Sequence, residues 1–344
     1  MAIGAGSGTK DSGGLVAAPA TMTSRSRHRW AVDEMIRDDD MHTPATRGAT
    51  DQDHVPEQHW LSLGLVALGI GLAGHAIVGP VGADLVDYPL SETLRNQTIG
   101  LDAVTLTIAA PTAIAAGLLL RRRHRLAPFL AVVVGFYTAY VFLQFVIGPD
   151  YLHYPGTLPL QMALFTLGWA IAVRAWTMTA TFEVPAMGVT ARRRHAAVLL
   201  ALAGFVVVRY LPALPAALGN EPIPEESLGD PAMFWSIFLM DLGIFVPVVV
   251  TAAIALRRGS SWGHRALYVA VGWFVLVTLA VLAMSIAMAV DDDPYASGAQ
   301  VILFAVTACA VVAYAGRLFS PLATTDIGPA VPSSRPRARA GQSR

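Results

Sequence analysis

The sequence predicts an all-α fold, a polytopic membrane bundle of eight transmembrane helices. Of the 344 residues, 54% are hydrophobic and only 14% are charged, whereas soluble domains average roughly 25% charged residues. The chain contains eight apolar segments. The length of each is close to that of a helix that crosses a hydrocarbon core, about 20 residues. Lipid offers no partner to an unpaired backbone group, so each segment is expected to be helical.

The predicted membrane domain covers residues 59–319. Its spans are 60–79, 99–120, 126–148, 158–178, 196–218, 233–256, 266–290 and 299–319. Residues 1–58 are rich in Gly, Ser, Thr and Asp without a sustained apolar period, which predicts a disordered cytoplasmic extension. Residues 320–344 read as a disordered, basic cytoplasmic tail. Alternative translation starts are Met22, Met35 and Met41.

Charge alternates from loop to loop and predicts the orientation of the chain. The basic loops hold Arg121, Arg122, Arg123 and Arg125, then Arg192, Arg193 and Arg194, then Arg257, Arg258 and Arg265. The acidic loops hold Asp84, Asp87 and Glu92, then Asp150, then Glu221, Glu225, Glu226 and Asp230, then Asp291, Asp292 and Asp293. By the positive-inside rule, both termini are cytoplasmic and the acidic loops face out. The run of three aspartates is expected to mark a solvated loop.

The two halves of the membrane domain resemble each other. Pro111 lies ten residues before Arg121, and Pro247 lies ten before Arg257. The matching segments are VVVGFY and VAVGWF at 132–137 and 269–274, and QMALF and QVILF at 161–165 and 300–304. The separations agree, at 136 to 139 residues. This predicts a 4+4 tandem repeat, 59–180 and 195–319, with both units in the same orientation because four spans is an even number.

Glycines recur in the first span. The segment GIGLAG (69–74) matches the dinucleotide-binding pattern, but that fingerprint needs a preceding strand and an exposed helix N-terminus. We expect instead that Gly64, Gly71 and Gly74 allow close helix packing.

Asp102 and Asp241 are the main candidate site residues, because an acid within a span costs at least a few kcal/mol and usually faces a bundle interior or cavity. Counting about 1.5 Å per residue from the inner arginines puts both in the outer quarter of the membrane. Asp102 is therefore shallow enough to reach interfacial water. Arg209 lies at nearly the depth of Asp241, which predicts an ion pair between them.

Further polar groups collect in the same outer layer, namely His75, Tyr140, Gln144 and Gln161. This asymmetry predicts a polar cavity that opens to the outside. The alternative is that polar residues near a membrane interface cost little free energy, and that Asp241 and Arg209 only hold two helices together.

No cofactor or metal site is expected. His75 is the only histidine within a predicted span, which argues against two-histidine haem ligation. No span contains a lysine for a retinal Schiff base, and Cys309 is the only cysteine. Asp150 and His153 lie three residues apart, but two ligands are weak support for a metal, and a solvated turn is expected. No nucleic-acid signature is present.

Two segments, LDAVTLTIAAPTAIAAGLLLRRR (101–123) and MDLGIFVPVVVTAAIALRRGSSWG (240–263), carry a family resemblance. In each, an acid begins a span that ends in arginines, and Trp262 and Gly263 follow the later one. The chain resembles a group of uncharacterised bacterial polytopic integral membrane proteins. The resemblance implies an eight-span bundle in the bacterial plasma membrane and implies no activity.

The leading hypothesis is a transporter or membrane binding protein for a small molecule or ion, with an outward-facing polar site around Asp241 and Arg209. Its expected partners are the lipid bilayer and that substrate. One alternative is a membrane enzyme that acts on a lipid or isoprenoid, with Asp102 or Asp241 as general acid. Another is a non-catalytic assembly subunit.

Overall fold

The computed structural model describes residues 54–83, 89–152, 156–182 and 184–323, and every regular element in those ranges is helical. Residues 1–53 of the predicted extension and 324–344 of the predicted tail lie outside the described residues. So do Asp84, Asp87 and His153.

Nine helices of six or more residues are described, besides a 3-10 turn at Glu225–Ser227. They are α1 (His54–Val78), α2 (Glu92–Arg121), α3 (Ala127–Ile147), α4 (Leu158–Thr179), α5 (Val189–Tyr210), α6 (Ala213–Leu218), α7 (Pro231–Arg257), α8 (Ser261–Val290) and α9 (Gly298–Ala323). Seven of them, all except α5 and α6, are long and apolar enough to cross a membrane. This indicates an integral membrane protein.

The structure differs from the prediction at the fifth span, residues 196–218. Helix α5 begins at Val189 and ends at Tyr210, so the apolar segment 196–218 is not one helix. Pro212 explains the break, because its ring cannot donate a backbone hydrogen bond and obstructs the preceding turn. Every stretch of 18 residues in α5 also contains at least three arginines, which removes this helix from the apolar set.

Two of the long helices contain a π-helical turn. In α2 it spans Thr105–Ala109, and in α7 it spans Leu239–Phe245. Each ends two residues before a proline, Pro111 or Pro247. Proline has no N–H and obstructs the regular i to i−4 ladder, so a wider turn beside it keeps the neighbouring backbone groups bonded.

Helices α2 and α7 also end in the same way. The second residue after each helix, Arg123 or Gly259, has a positive φ, of 54° and 79° respectively. In both turns the following residue donates its N–H to the carbonyl five residues earlier, which is the Schellman motif. The two turns are 136 residues apart.

The helices pack in a regular order. In the N-terminal half, α1 packs on α2 and α4, and α3 packs on the same two helices. In the C-terminal half, α7 packs on α5 and α8, α8 packs on α9, and His195 of α5 hydrogen-bonds Tyr314 of α9 at 2.6 Å. The halves meet where α8 contacts α2 and α3 and where α3 contacts α7. Helices α3 and α8 therefore form the centre of the bundle.

Glycines lie at the closest contacts between helices, but not every glycine predicted to allow close packing does so. A Cβ on Gly71 would lie 2.7 Å from Leu164 of α4, which confirms its packing role. Among the described residues, nothing lies within 4 Å of a Cβ on Gly74, so that prediction is wrong, and Gly64 has only ordinary contacts, the nearest at 3.8 Å. A tighter contact that the sequence pattern did not single out is Gly69 against Ile114 of α2, at 2.6 Å.

Candidate functional site

A cavity of about 130 Å³ lies between the two halves, at the end of the bundle that carries the acidic loops. Residues of α2, α3, α7 and α8 form most of its wall. Four of the predicted site residues line it, namely Asp241, Arg209, Tyr140 and Gln144. The other three, Asp102, His75 and Gln161, do not.

Asp241 is the centre of this site. It lies in the π turn of α7 and is 7% exposed. The hydroxyl of Tyr140 donates to its Oδ1 at 2.6 Å, and the hydroxyl of Tyr210 donates to its Oδ2 at 2.7 Å. Each carboxylate oxygen can accept a further hydrogen bond. The carboxylate is thus held in place by donors from α3 and α5 and retains acceptor capacity for a ligand.

Arg209 lines the same cavity without contacting Asp241 directly. Its guanidinium carbon lies 5.5 Å from the centre of the Tyr210 ring, a cation–π arrangement. The described residues contain no direct Arg209–Asp241 ion pair, so that prediction is wrong. The reason is that the neighbouring residue Tyr210, at the last position of α5, occupies the carboxylate instead.

Several residues of the site were missed by sequence reasoning. Tyr210 is the most important of them; it does not line the cavity but holds Asp241 in place, and nothing in its sequence position distinguished it from an interfacial aromatic residue. The missed residues that line the cavity add uncharged polar groups, one charge and three thioethers, namely Gln97, Thr98, Ser285, Gln300, Glu226, Met233, Met284 and Met288. Most of them lie near the ends of predicted spans, where polar residues are common and do not by themselves indicate a binding site.

Asp102 and His75 form a separate pair between α2 and α1. Both are only 2% exposed, and Nδ1 of His75 lies 3.8 Å from Oδ1 of Asp102. The prediction that Asp102 is shallow enough to reach interfacial water is therefore wrong. Its Oδ2 lies against Gly79, where a Cβ would be only 2.7 Å away. The His75 ring packs edge-on against Phe142, with centroids 4.8 Å apart.

Gln161 is fully buried near the start of α4, at 0% exposure, and belongs to neither group. The structure thus divides the predicted outer layer into a cavity site, a buried acid–histidine pair and a core glutamine.

Two acids of the acidic loops bind the start of α2. Asp293 is 6% exposed and accepts hydrogen bonds from Asn96 Nδ2 at 3.0 Å and from the N–H of Tyr295 at 2.9 Å. Asp230 accepts from the N–H of Ser91 at 3.1 Å and also from its hydroxyl. The aspartate run at 291–293 is therefore a solvated loop only in part. Within the described ranges, no three His, Cys, Asp or Glu residues are grouped to hold a metal.

The chain matches no protein-family model, no curated protein and no solved structure.

Proposed function

We propose that this protein is a transporter or membrane binding protein for a small polar molecule or ion, and that the substrate binds at Asp241. The observation that carries the proposal is a buried carboxylate that lines a cavity and is held by Tyr140 and Tyr210 from two different helices. Buried acids in spans usually serve ion or substrate pathways, because burial without a role is costly.

The remaining lining suits a ligand with both donor and acceptor groups. Asp241 offers acceptor capacity to a cation or an N–H or O–H group. Arg209, on the same wall, offers donors to an anionic or carbonyl group. Gln144, which is 9% exposed, adds a donor and an acceptor. The three methionines supply adaptable apolar surface around these groups.

The proposal includes eight spans in a 4+4 repeat, with both termini cytoplasmic in a bacterial plasma membrane. Helix α5 has 22 residues, about 33 Å, which is enough to cross. It packs along α7 and α8 as a spanning helix would. The recurrence of the π turn, the proline and the Schellman motif in α2 and α7 supports the repeat, as does the matching order of helix contacts in the two halves. The resemblance to uncharacterised bacterial membrane proteins remains part of this proposal.

A transport assay tests the role of Asp241. Proteoliposomes loaded with the pH indicator pyranine are exposed to a panel of inorganic cations, amino acids and monosaccharides, and solute-dependent pH changes and radiolabelled uptake are recorded. We expect at least one solute to be transported. Asp241→Asn should reduce its uptake at least about tenfold, because the charge-assisted contact is lost.

The matched control is Asp102→Asn, which removes the other buried acid, outside the cavity. It should retain solute uptake. Uptake that survives Asp241→Asn and is abolished by Asp102→Asn would contradict the proposal. If both variants behave like wild type and function depends on a partner bound at lipid-facing surfaces, the assembly-subunit alternative gains support.

The Asp102–His75 pair favours one second candidate, an enzyme that acts on a lipid or isoprenoid with Asp102 as general acid. An acid beside an imidazole is an arrangement that can serve proton transfer. Among the described residues, Oδ2 of Asp102 has no hydrogen-bond partner. Neither residue lines the cavity, however, so a substrate would have to enter between α1 and α2. Loss of a co-purifying lipid product in Asp102→Asn would support this candidate.

A further inference from the structure

The cavity at Asp241 contains an acid and a base that do not neutralise each other. Both hydrogen-bond donors to Asp241, Tyr140 and Tyr210, are uncharged hydroxyl groups. Neither Asp241 nor Arg209 forms an ion pair with a described residue. Glu226 also lines the cavity, but it does not pair with Arg209 within the described ranges. The wall therefore presents one negative and one positive group to a ligand.

Tyr210 sets the positions of these two charges. Its hydroxyl donates to Oδ2 of Asp241 at 2.7 Å, and the guanidinium carbon of Arg209 lies 5.5 Å from the centre of its ring. The carboxylate and the guanidinium are thus placed near the same phenol group without touching each other. Arg209 is an exposed residue, so a ligand can reach its donors. Because both charged residues line one cavity, a small molecule between them can contact both.

The rest of the wall indicates the size and polarity of the ligand. Much of it is apolar, and this part includes Ile237, Val281, Met233, Met284 and Met288. The cavity volume of about 130 Å³ is well below the roughly 300–1,000 Å³ of sites for drug-sized molecules. The cavity therefore suits a small ligand that carries both charges close together and has an apolar remainder.

We propose that the substrate is a zwitterionic α-amino acid with an apolar side chain, an inference that rests on the proposed function of the Asp241 site. The ammonium group donates to Asp241, whose oxygens each retain acceptor capacity. The α-carboxylate accepts from the guanidinium of Arg209, whose planar fork of donors matches a carboxylate. The side chain packs against the methionines and aliphatic residues of the wall.

Ligands with a single charge fit this wall less well. An inorganic cation or a simple amine would be attracted by Asp241 and repelled by Arg209. An anion would be attracted by Arg209 and repelled by Asp241. Charges interact more strongly near protein than in bulk water, because the effective dielectric constant is lower. A zwitterion gains both attractions in place of one attraction and one repulsion.

Binding of matched ligands tests the substrate class. Full-length protein in phosphatidylcholine nanodiscs is titrated with L-alanine, L-valine, L-leucine and L-methionine by isothermal titration calorimetry. The amino acid that binds most tightly is compared with the amine that lacks its carboxylate and the acid that lacks its ammonium group; for leucine these are isopentylamine and 4-methylpentanoate. We expect at least one amino acid to bind saturably. Each analogue should bind at least about tenfold more weakly, since it loses one charge-assisted hydrogen bond.

Two substitutions assign the contacts. Asp241→Asn should weaken binding of the amino acid and of the amine at least about tenfold and should not weaken binding of the acid. Arg209→Gln should weaken binding of the amino acid and of the acid by a similar factor and should not weaken binding of the amine. The matched control is Arg193→Gln, an exposed residue of α5 outside the cavity, which should change each dissociation constant by less than about twofold.

The outcomes separate this inference from the proposed function. An amine that binds as tightly as the amino acid, in a manner that depends on Asp241, would overturn the zwitterion and keep Asp241 as a binding site. Asp241-dependent uptake of an inorganic cation or a monosaccharide, with no binding of any of the four amino acids, would do the same. Amino-acid binding that Asp241→Asn leaves unchanged would contradict both proposals, as would the absence of both binding and uptake.

Discussion

Gly135 lies in α3 where that helix crosses α4, and its replacement by alanine tests the packing of the bundle. A Cβ at this position would lie 2.6 Å from the carbonyl oxygen of Gly168 and 2.9 Å from the backbone nitrogen of Ala172. Both atoms belong to the backbone, so no side chain can rotate away. Helix α4 would have to move by roughly half an ångström or more, and overpacking of this kind costs about 1–3 kcal/mol.

The matched control is Gly74→Ala in α1, where the described residues leave the space around a Cβ open to 4 Å. Alanine is the better helix former by about 1 kcal/mol, and both substitutions gain that amount. The difference between them therefore isolates the contact with α4. We expect Gly135→Ala to have a free energy of unfolding about 1–3 kcal/mol below that of Gly74→Ala.

The measurement is unfolding by sodium dodecyl sulfate in mixed micelles, followed by circular dichroism. Gly135→Ala should unfold at a lower mole fraction of the denaturing detergent than wild type, and Gly74→Ala at an equal or higher one. Coincident transitions of the two variants would refute the reasoning, because they would mean that the close approach of α3 and α4 does not limit stability.

Two more predictions use the same titration. Arg123 has a positive φ, which glycine adopts more easily, so Arg123→Gly should raise the free energy of unfolding by up to about 1 kcal/mol. Arg121→Gly, within α2, should lower the free energy of unfolding by about 1 kcal/mol. A lower free energy of unfolding for Arg123→Gly than for wild type would contradict this prediction. Asp293→Ala leaves the Asn96 amide without its acceptor and should cost about 1–3 kcal/mol, while exposed Asp291→Ala should stay within about 0.5 kcal/mol. Equal effects at the two aspartates would refute the buried role of Asp293.

The helical fold was predictable because it follows from the lengths of the apolar segments and the positions of the charges along the sequence. A long apolar segment has a single solution in lipid, and the ends of α2 and α7 coincide with the arginines at 121 and 257. The break at Pro212 was also readable in principle, since proline disrupts a helix. The predicted span across it gave too much weight to hydrophobicity.

The site was harder to predict because it depends on which way each side chain faces. Counting residues from the arginines gives a depth and no direction around the helix axis. Asp102 and Asp241 have similar depths, yet only Asp241 lines the cavity. Likewise, Arg209 and Tyr210 are adjacent in the sequence at the end of α5. The tyrosine, not the arginine, contacts the Asp241 carboxylate.

The proposed repeat accounts for why only one of the two acids forms a polar site. Asp241 receives a hydrogen bond across the interface between the halves, from Tyr140 of α3. The alignment of VVVGFY with VAVGWF, 137 residues apart, places Val277 of α8 at the position equivalent to Tyr140. Valine has no donor, so Asp102 has no equivalent bond from the opposite half, and its neighbour is His75 of its own half. Under the proposed repeat, the two halves share one helix geometry, and a single side chain at their interface distinguishes an acid that lines the cavity from an enclosed one.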